Sequence, residues 1–163
     1  MLLVVSDTNV LIDIEIGGLV GSLFSLGYEI VVADVPFEEE LRATHADLLT
    51  MGLGVRSLSP DSVARVAELS NRYRKASRND LFGLTLAEQE KCLLLTGDAD
   101  LRAVAVAERV EVHGTLWVLE EMVRQGLITT AVAHAAYEAR QAAGRRLPWD
   151  DAHRRVDEVA CDP

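Results

Sequence analysis

Aromatic residues are scarce in this chain, at 5% of 163 residues. Its core must therefore be built mainly from Leu, Val, Ile and Ala. Cysteine is scarcer still. Cys92 and Cys161 stand in unrelated contexts, with no CxxC pair. That excludes a disulfide framework and suits a reducing cytoplasm. No stretch approaches the roughly 18 consecutive apolar residues of a membrane span. The opening MLLVVSD has neither the basic region nor the longer apolar run of a secretory leader, so none is expected. Positive charge is also short: 16 Lys and Arg face 26 Asp and Glu, a net charge of −10. Such a balance excludes broad, unspecific attraction to nucleic acid, which needs a basic face. It fits divalent cations, or a basic partner protein laid over an acidic face. Repeats, low-complexity segments and long linkers are absent. So are the phosphate-binding patterns GxGxxG and GxxxxGK, and Ser6 lacks a G-x-S-x-G elbow.

What is present is a 49% hydrophobic chain of one-domain size, long enough to bury a core unaided. Short apolar runs alternate with helical patterns. Residues 2–6 form the first run, ending at Asp7. Residues 8–17 and 19–26 read as helical, with a break at Gly17–Gly18. A second strand over 29–33 (EIVVA) ends at Asp34. Pro36 opens a helix over 36–50, since its missing N–H costs nothing in a first turn. A short strand over 55–58 follows. Ser59 then caps a helix over about 60–75, with Pro60 at its first position. Further elements are a helix over 79–91, a strand over 92–95 (CLLL), a helix over 99–108 and a strand over 110–113. From Gly114 the chain reads as helical, with breaks near Gly126 and Gly144. The β-α-β-α order predicts an α/β fold with a parallel sheet of four to five strands covered by helices on both faces. The core spans about 1–113 of a single 1–163 domain, and 114–163 is a helical extension packed on it.

The placement of acids carries the chemistry. One apolar run ends in Ser6–Asp7 and another in Thr96–Gly97–Asp98. In a parallel sheet the C-terminal strand ends share one edge, where ligands bind. Glu40, one turn into the helix after the second strand, and Asp80, at the start of the helix before the fourth, reach the same edge. Converging carboxylates repel one another unless a cation neutralises them. Oxygen-only ligands suit Mg²⁺ or Mn²⁺. A plainer account exists for each residue. Asp7 and Asp98 precede helices and serve as N-caps, and Asp80 favours a helix dipole. Glu38, Glu39 and Glu40 form a solvated helix face.

Four motifs in order resemble those of the PIN-domain ribonucleases, the family that includes VapC-type toxins of bacterial toxin–antitoxin pairs. They are Ser6-Asp7-Thr8-Asn9-Val10-Leu11-Ile12, Pro36-Phe37-Glu38-Glu39-Glu40-Leu41, Asn79-Asp80 with Leu84-Thr85-Leu86-Ala87, and Leu94-Leu95-Thr96-Gly97-Asp98-Ala99-Asp100-Leu101. The segment from Gly114-Thr115-Leu116 to Gly126-Leu127-Ile128 resembles an extension of some members. The resemblance implies a three-layer α/β/α sandwich and endonucleolytic hydrolysis of RNA with Mg²⁺ or Mn²⁺. It makes Asp7, Glu40, Asp80 and Asp98 the catalytic acids, with Asp7, Asp80 and Asp98 on the metal. Thr8, Asn9, Thr96 and Asp100 support them, with Glu39 and Asp100 as alternatives to Glu40 and Asp98. An antitoxin protein and a homodimer are the expected partners.

Arg72, Arg74, Lys75 and Arg78 cluster before Asp80 with Tyr73 among them, and Arg102 follows the last motif. They are either an RNA-gripping rim or a basic helix end favoured by the dipole. His45, His113, His134 and His153 show no pair spaced for a metal on one helix face and read as structural or surface residues. Trp117 and Trp149 are packing anchors. The stripe Leu116, Leu119, Val123, Leu127 and Ile128 is core or a dimer face. Two readings compete with a nuclease: a silent PIN-like binding module, and a phosphatase of the haloacid-dehalogenase type. The latter wants an acid where Asn9 stands.

Overall fold

In the computed structural model, which describes residues 1–161, five short apolar runs form one sheet. They are β1 (Leu2–Ser6), β2 (Tyr28–Ala33), β3 (Gly54–Arg56), β4 (Leu93–Leu95) and β5 (Val112–His113). Every neighbouring pair is parallel, in the order β3-β2-β1-β4-β5. The expected parallel sheet is therefore present, with slightly shorter outer strands than the apolar runs imply. Because the order reverses between β1 and β4, the crossovers leave a crevice at the C-terminal ends of those two strands. The register Ser6↔Leu95 brings these ends level.

Successive strand residues point to opposite faces, and the two faces own separate cores. Val4, Ile30 and Val32 pack with Leu11, Leu119, Tyr137 and Val156 on one side. Val5, Val31 and Leu94 pack with Leu81, Leu84 and Leu101 on the other. The first face is covered by α1 (Thr8–Ile16), α2 (Val20–Leu23), α9 (Thr115–Arg124), α10 (Thr130–Ala142) and α11 (Trp149–Cys161). The second is covered by α6 (Pro60–Arg72), α7 (Arg78–Glu90) and α8 (Ala99–Ala107). The breaks expected at Gly126 and Gly144 occur, both at positive φ (71° and 84°) that a Cβ would disfavour. The apolar stripe of 116–128 packs into the first core, with Leu119 fully buried.

Two helices are shorter than expected, α2 stopping at Leu23 rather than 26 and α6 at Arg72 rather than about 75, and a third differs in kind. The segment predicted as a continuous helix over 36–50 is broken. It begins earlier, as α3 (Asp34–Pro36), widens into a π-helical turn (Phe37–Leu41), then continues as α4 (Arg42–His45) and α5 (Asp47–Met51). The Arg42 N–H reaches back five residues to the Phe37 carbonyl. Phe37 and Leu41 are both buried by this arrangement, while Glu38, Glu39 and Glu40 are turned outward. Wide turns of this kind are frequent at functional sites.

The helices of the first face enclose a polar knot. Arg140 is fully buried; its Nε donates to the Asp13 carbonyl at 3.0 Å, and neither Nη has a hydrogen-bond partner among the described residues. Burial pulls its pKa down from the usual arginine value. Burial raises that of Asp13, opposed by Arg145 and Arg140, with Arg145 Nε 2.6 Å from Asp13 Oδ1. Removing one partner of a buried charge pair costs roughly 3–5 kcal/mol, because the other charge is stranded. Asp13→Ala should thus lower stability in urea melts by about that much. Arg140→Met should cost less, because Asp13 keeps Arg145. The reverse ranking would show that the carboxylate does not hold the knot.

Candidate active site

Asp7 leaves β1 with extended backbone and caps α1, its Oδ1 accepting from Val10 N at 2.8 Å. Its N–H continues the sheet ladder to Leu95 O at 2.9 Å. The Thr96 hydroxyl donates to the other carboxylate oxygen, Oδ2. Thr96 Oγ1 also accepts from Asp98 N at 3.1 Å, so one side chain ties the two strand-end acids together. Asp98 in turn caps α8 through Leu101 N at 2.8 Å.

Asp80 enters from α7. Ser77 and Asp80 form a reciprocal capping box, Asp80 N donating to Ser77 Oγ at 3.1 Å and Ser77 N to Asp80 Oδ2 at 3.2 Å. Ser-x-x-Asp is visible in the sequence as a helix-start pattern, yet Ser77 escaped selection there. Glu40 comes from the π-helical turn and accepts from the Thr8 hydroxyl. Asn79 Nδ2 bridges the acidic run, donating to Glu40 Oε1 at 3.1 Å and Glu39 Oε2 at 2.9 Å. Asn9 is exposed at the second position of α1.

Asp7 and Asp80 both feel the burial of the crevice and the charge of neighbouring acids. Burial pushes the Asp7 pKa up to about 6, against the lowering bonds from Thr96 and Val10, and the charge of Asp80 raises it further. Burial likewise raises Asp80, with Asp98 and Glu40 adding to the shift. None of Asp7, Glu40, Asp80 or Asp98 has a Lys, Arg or His within ion-pair distance among the described residues. Their neighbours do: Glu39 pairs with Arg78 at 2.5 Å and Glu38 with Arg42. Asp7, Thr8, Glu40, Asn79, Asp80 and Gly83 line a cleft of about 10 Å³, close to the space one water-sized occupant needs. Among the described residues, no three acidic, His or Cys side chains are gathered closely enough to grip an ion by themselves.

The Thr8 and Thr96 hydroxyls thus lie on Glu40 and Asp7, and Glu40 rather than Glu39 adjoins Thr8. Asp98 adjoins Thr96, whereas Asp100 lines a separate hollow of about 350 Å³ with Tyr73, Arg74 and Lys75. The expected basic rim is narrower than its sequence. Arg72 is taken up by Glu68 and Glu108, and Arg78 by Glu39. Arg74 and Lys75 have no such partner among the described residues, because the chain leaves α6 before reaching them.

A carboxylate whose native pKa lies above its ordinary 3.8 binds its proton more tightly folded than unfolded. Stability therefore falls as pH rises from about 4 to about 6, and the penalty persists above that window. Asp7→Asn should stabilise the metal-free protein at pH 7.5 by roughly 1–3 kcal/mol, and the gain should shrink towards pH 4.5. Urea melts at the two pH values check this; an equal effect at both would mean that Asp7 is not the strained acid.

Comparison with known proteins accords with this arrangement. A family model described as PIN domain matches residues 3–158. A similar solved structure is a PilT N-terminus domain protein from the hyperthermophilic archaeon Sulfolobus solfataricus P2. It is 13% identical, with a TM-score of 0.51, covering 76% of this chain and 94% of that one. At that identity the likeness shows the fold. No curated protein matches. With the parallel sheet, the strand-end acids and a family match over nearly its whole length, this chain belongs to the PIN-domain family.

Proposed function

We propose that the chain is an endoribonuclease that hydrolyses RNA phosphodiester bonds with Mg²⁺ or Mn²⁺, and that it is the toxin of a toxin–antitoxin pair. The observation that carries the nuclease reading is electrostatic. In a molecule rich in ion pairs, Asp7 and Asp80 have their proton affinity raised by burial and by neighbouring acids, and none of the four acids has a cationic side chain within ion-pair distance among the described residues. A hard divalent ion relieves that repulsion. The donor set fits: it is all oxygen, and Mg²⁺ uses one or two carboxylates while keeping several waters. Bound there, the ion would activate water and neutralise charge on the phosphate.

Asp7, Asp80 and Asp98 are the residues proposed to hold the ion, through its bound waters where a carboxylate does not reach it directly. Thr96 keeps Asp7 and Asp98 in register through its hydroxyl. Thr8 and Asn79 hold the Glu40 carboxylate at the mouth of the cleft, where it is placed to accept a proton from the attacking water. Asn9 and Asp100, the other two residues expected to support the site, make no hydrogen bond to these acids among the described residues, and Asp100 faces a separate hollow. Arg74 and Lys75 offer cationic contacts to the RNA backbone. The reading extends to a basic antitoxin segment seated over the acidic crevice, which the net charge of −10 favours, and to a homodimer. Among the described residues no helix is long and apolar enough to cross a membrane.

With Mg²⁺ present, Asp7→Asn should slow RNA cleavage by roughly a hundredfold or more, the loss of a few kcal/mol of transition-state stabilisation. Calorimetry should show micromolar Mn²⁺ binding to the parent and much weaker binding to the variant. Cleavage at the parent rate would remove Asp7 from the metal. A parent that binds no Mn²⁺ would point to a PIN fold that binds without cutting. Reversing both charges, Arg74→Glu with Lys75→Glu, should weaken RNA binding about tenfold at low salt; unchanged affinity would place the strand elsewhere.

A further inference from the structure

A groove of about 720 Å³ opens beside Asp98, between α8, the turn from β5 into α9, and the Leu147–Pro148 segment. Gly97 and Ala99, the neighbours of Asp98 in the chain, form its inner end. We propose that this groove is a nucleotide subsite, which seats a base and phosphate of the RNA strand next to the bond being cut. The proposal rests on the ribonuclease reading above.

Three features give the groove this chemistry. The first is Arg102, one turn beyond Asp98 on α8. Its Nη2 donates to the Thr96 carbonyl at 3.3 Å, and no carboxylate lies within ion-pair distance among the described residues. It thus differs from Arg42, Arg56, Arg65, Arg72, Arg78 and Arg154, each bound to one or more carboxylates. The bare backbone at Gly114 makes its position possible, because a Cβ there would stand 2.6 Å from Arg102 Nη2. The φ of Gly114 is −117°, which any residue adopts, so space is what this position supplies.

The second feature is a tier of rings. His113 stacks on Trp117 with centroids 4.4 Å apart and planes 14° apart, and Trp117 stacks on Tyr28 at 6.3 Å. Trp117 is anchored in the core below, so the half-exposed His113 ring is presented on a firm base. The third is Val106, 66% exposed on the α8 wall, an aliphatic lip that no core packing requires. A cation, a π-surface and an apolar edge in one groove match the phosphate and flat base of a single-stranded nucleotide. An acidic peptide would use the cation and leave the rings unmatched. The volume lies within the roughly 300–1,000 Å³ of small-molecule sites. Arg155 closes the opposite wall but is tied to Glu120 at 3.0 Å, so Arg102 is the available charge.

The test uses the full chain carrying Asp7→Asn, which suppresses cutting, and a fluorescent single-stranded RNA of about ten nucleotides read by anisotropy. Arg102→Gln should weaken binding about tenfold at 50 mM salt and flatten the slope of log affinity against log salt by roughly 0.7, one phosphate contact. His113→Ala should weaken binding severalfold with the salt slope unchanged, the mark of lost stacking. Val106→Glu should weaken it about tenfold. The same three changes in the wild-type background should leave Mn²⁺ affinity within twofold. If RNA binds the parent and all three variants alike, the subsite is wrong while the ribonuclease reading stands. If the wild-type chain neither binds nor cuts RNA with Mn²⁺ present, both fall. If a poly-glutamate peptide displaces the RNA and loses affinity with Arg102→Gln but not with His113→Ala, the groove belongs to an acidic protein partner.

Discussion

Across the β1–β4 pair Ser6 stands level with Leu95, and the arrangement of the crevice depends on that register. It places Asp7 opposite Thr96, 89 residues later in the chain, so that one hydroxyl serves both Asp7 and the backbone of Asp98. Parallel pairing is what allows this. It sets both strand ends on one edge, and the reversal of strand order there leaves no crossover in the way. A slip by one residue would turn each strand's side chains to the opposite face. It would carry Val4 and Val5 out of their two cores as well as separate the acids.

The acids of the crevice also have a structural duty. Asp7 and Asp98 cap helices, and Asp80 completes a capping box. A cap does not compete with a site at the same residue. It points a carboxylate towards a helix N-terminus, where backbone N–H groups hold it in one orientation. Three caps aimed at one crevice produce a preset group of charges. The residual cost appears as raised proton affinity at Asp7 and Asp80, since burial removes water faster than the caps replace it. Proton binding and stability are thus linked at Asp7.

The helices after β5 also shape the site. They supply most of the first core, yet the turn into α9 carries His113, Gly114 and Trp117 to the groove beside Asp98. Buried charge on this side, with Arg140 held between α1 and α10, makes the docking of these helices specific as well as tight. A change in how α10 and α11 seat would reach the groove through Leu147, Pro148 and Arg155.

Local pattern alone determined much of this protein. Apolar runs marked all five strands, Ser59–Pro60 marked the start of α6, and glycines marked the breaks after α9 and α10. Acids directly after two strand patterns indicated the crevice, because parallel strand direction is a consequence of a β-α-β rhythm, whereas the strand order came from the folded chain. What local pattern did not contain was partner choice. Periodicity within 36–50 is that of an ordinary helix and gives no sign of the π-helical turn over Phe37–Leu41. That Arg72 is taken up by a carboxylate depends on Glu108, over thirty residues away. The pairing of His134 with His153, stacked at 4.7 Å between α10 and α11, was likewise invisible to a search along single helix faces. Secondary structure is decided by neighbours a few residues apart, so it can be read in order. Charge pairing and ring stacking are decided by which helices meet, and only the folded chain specifies that.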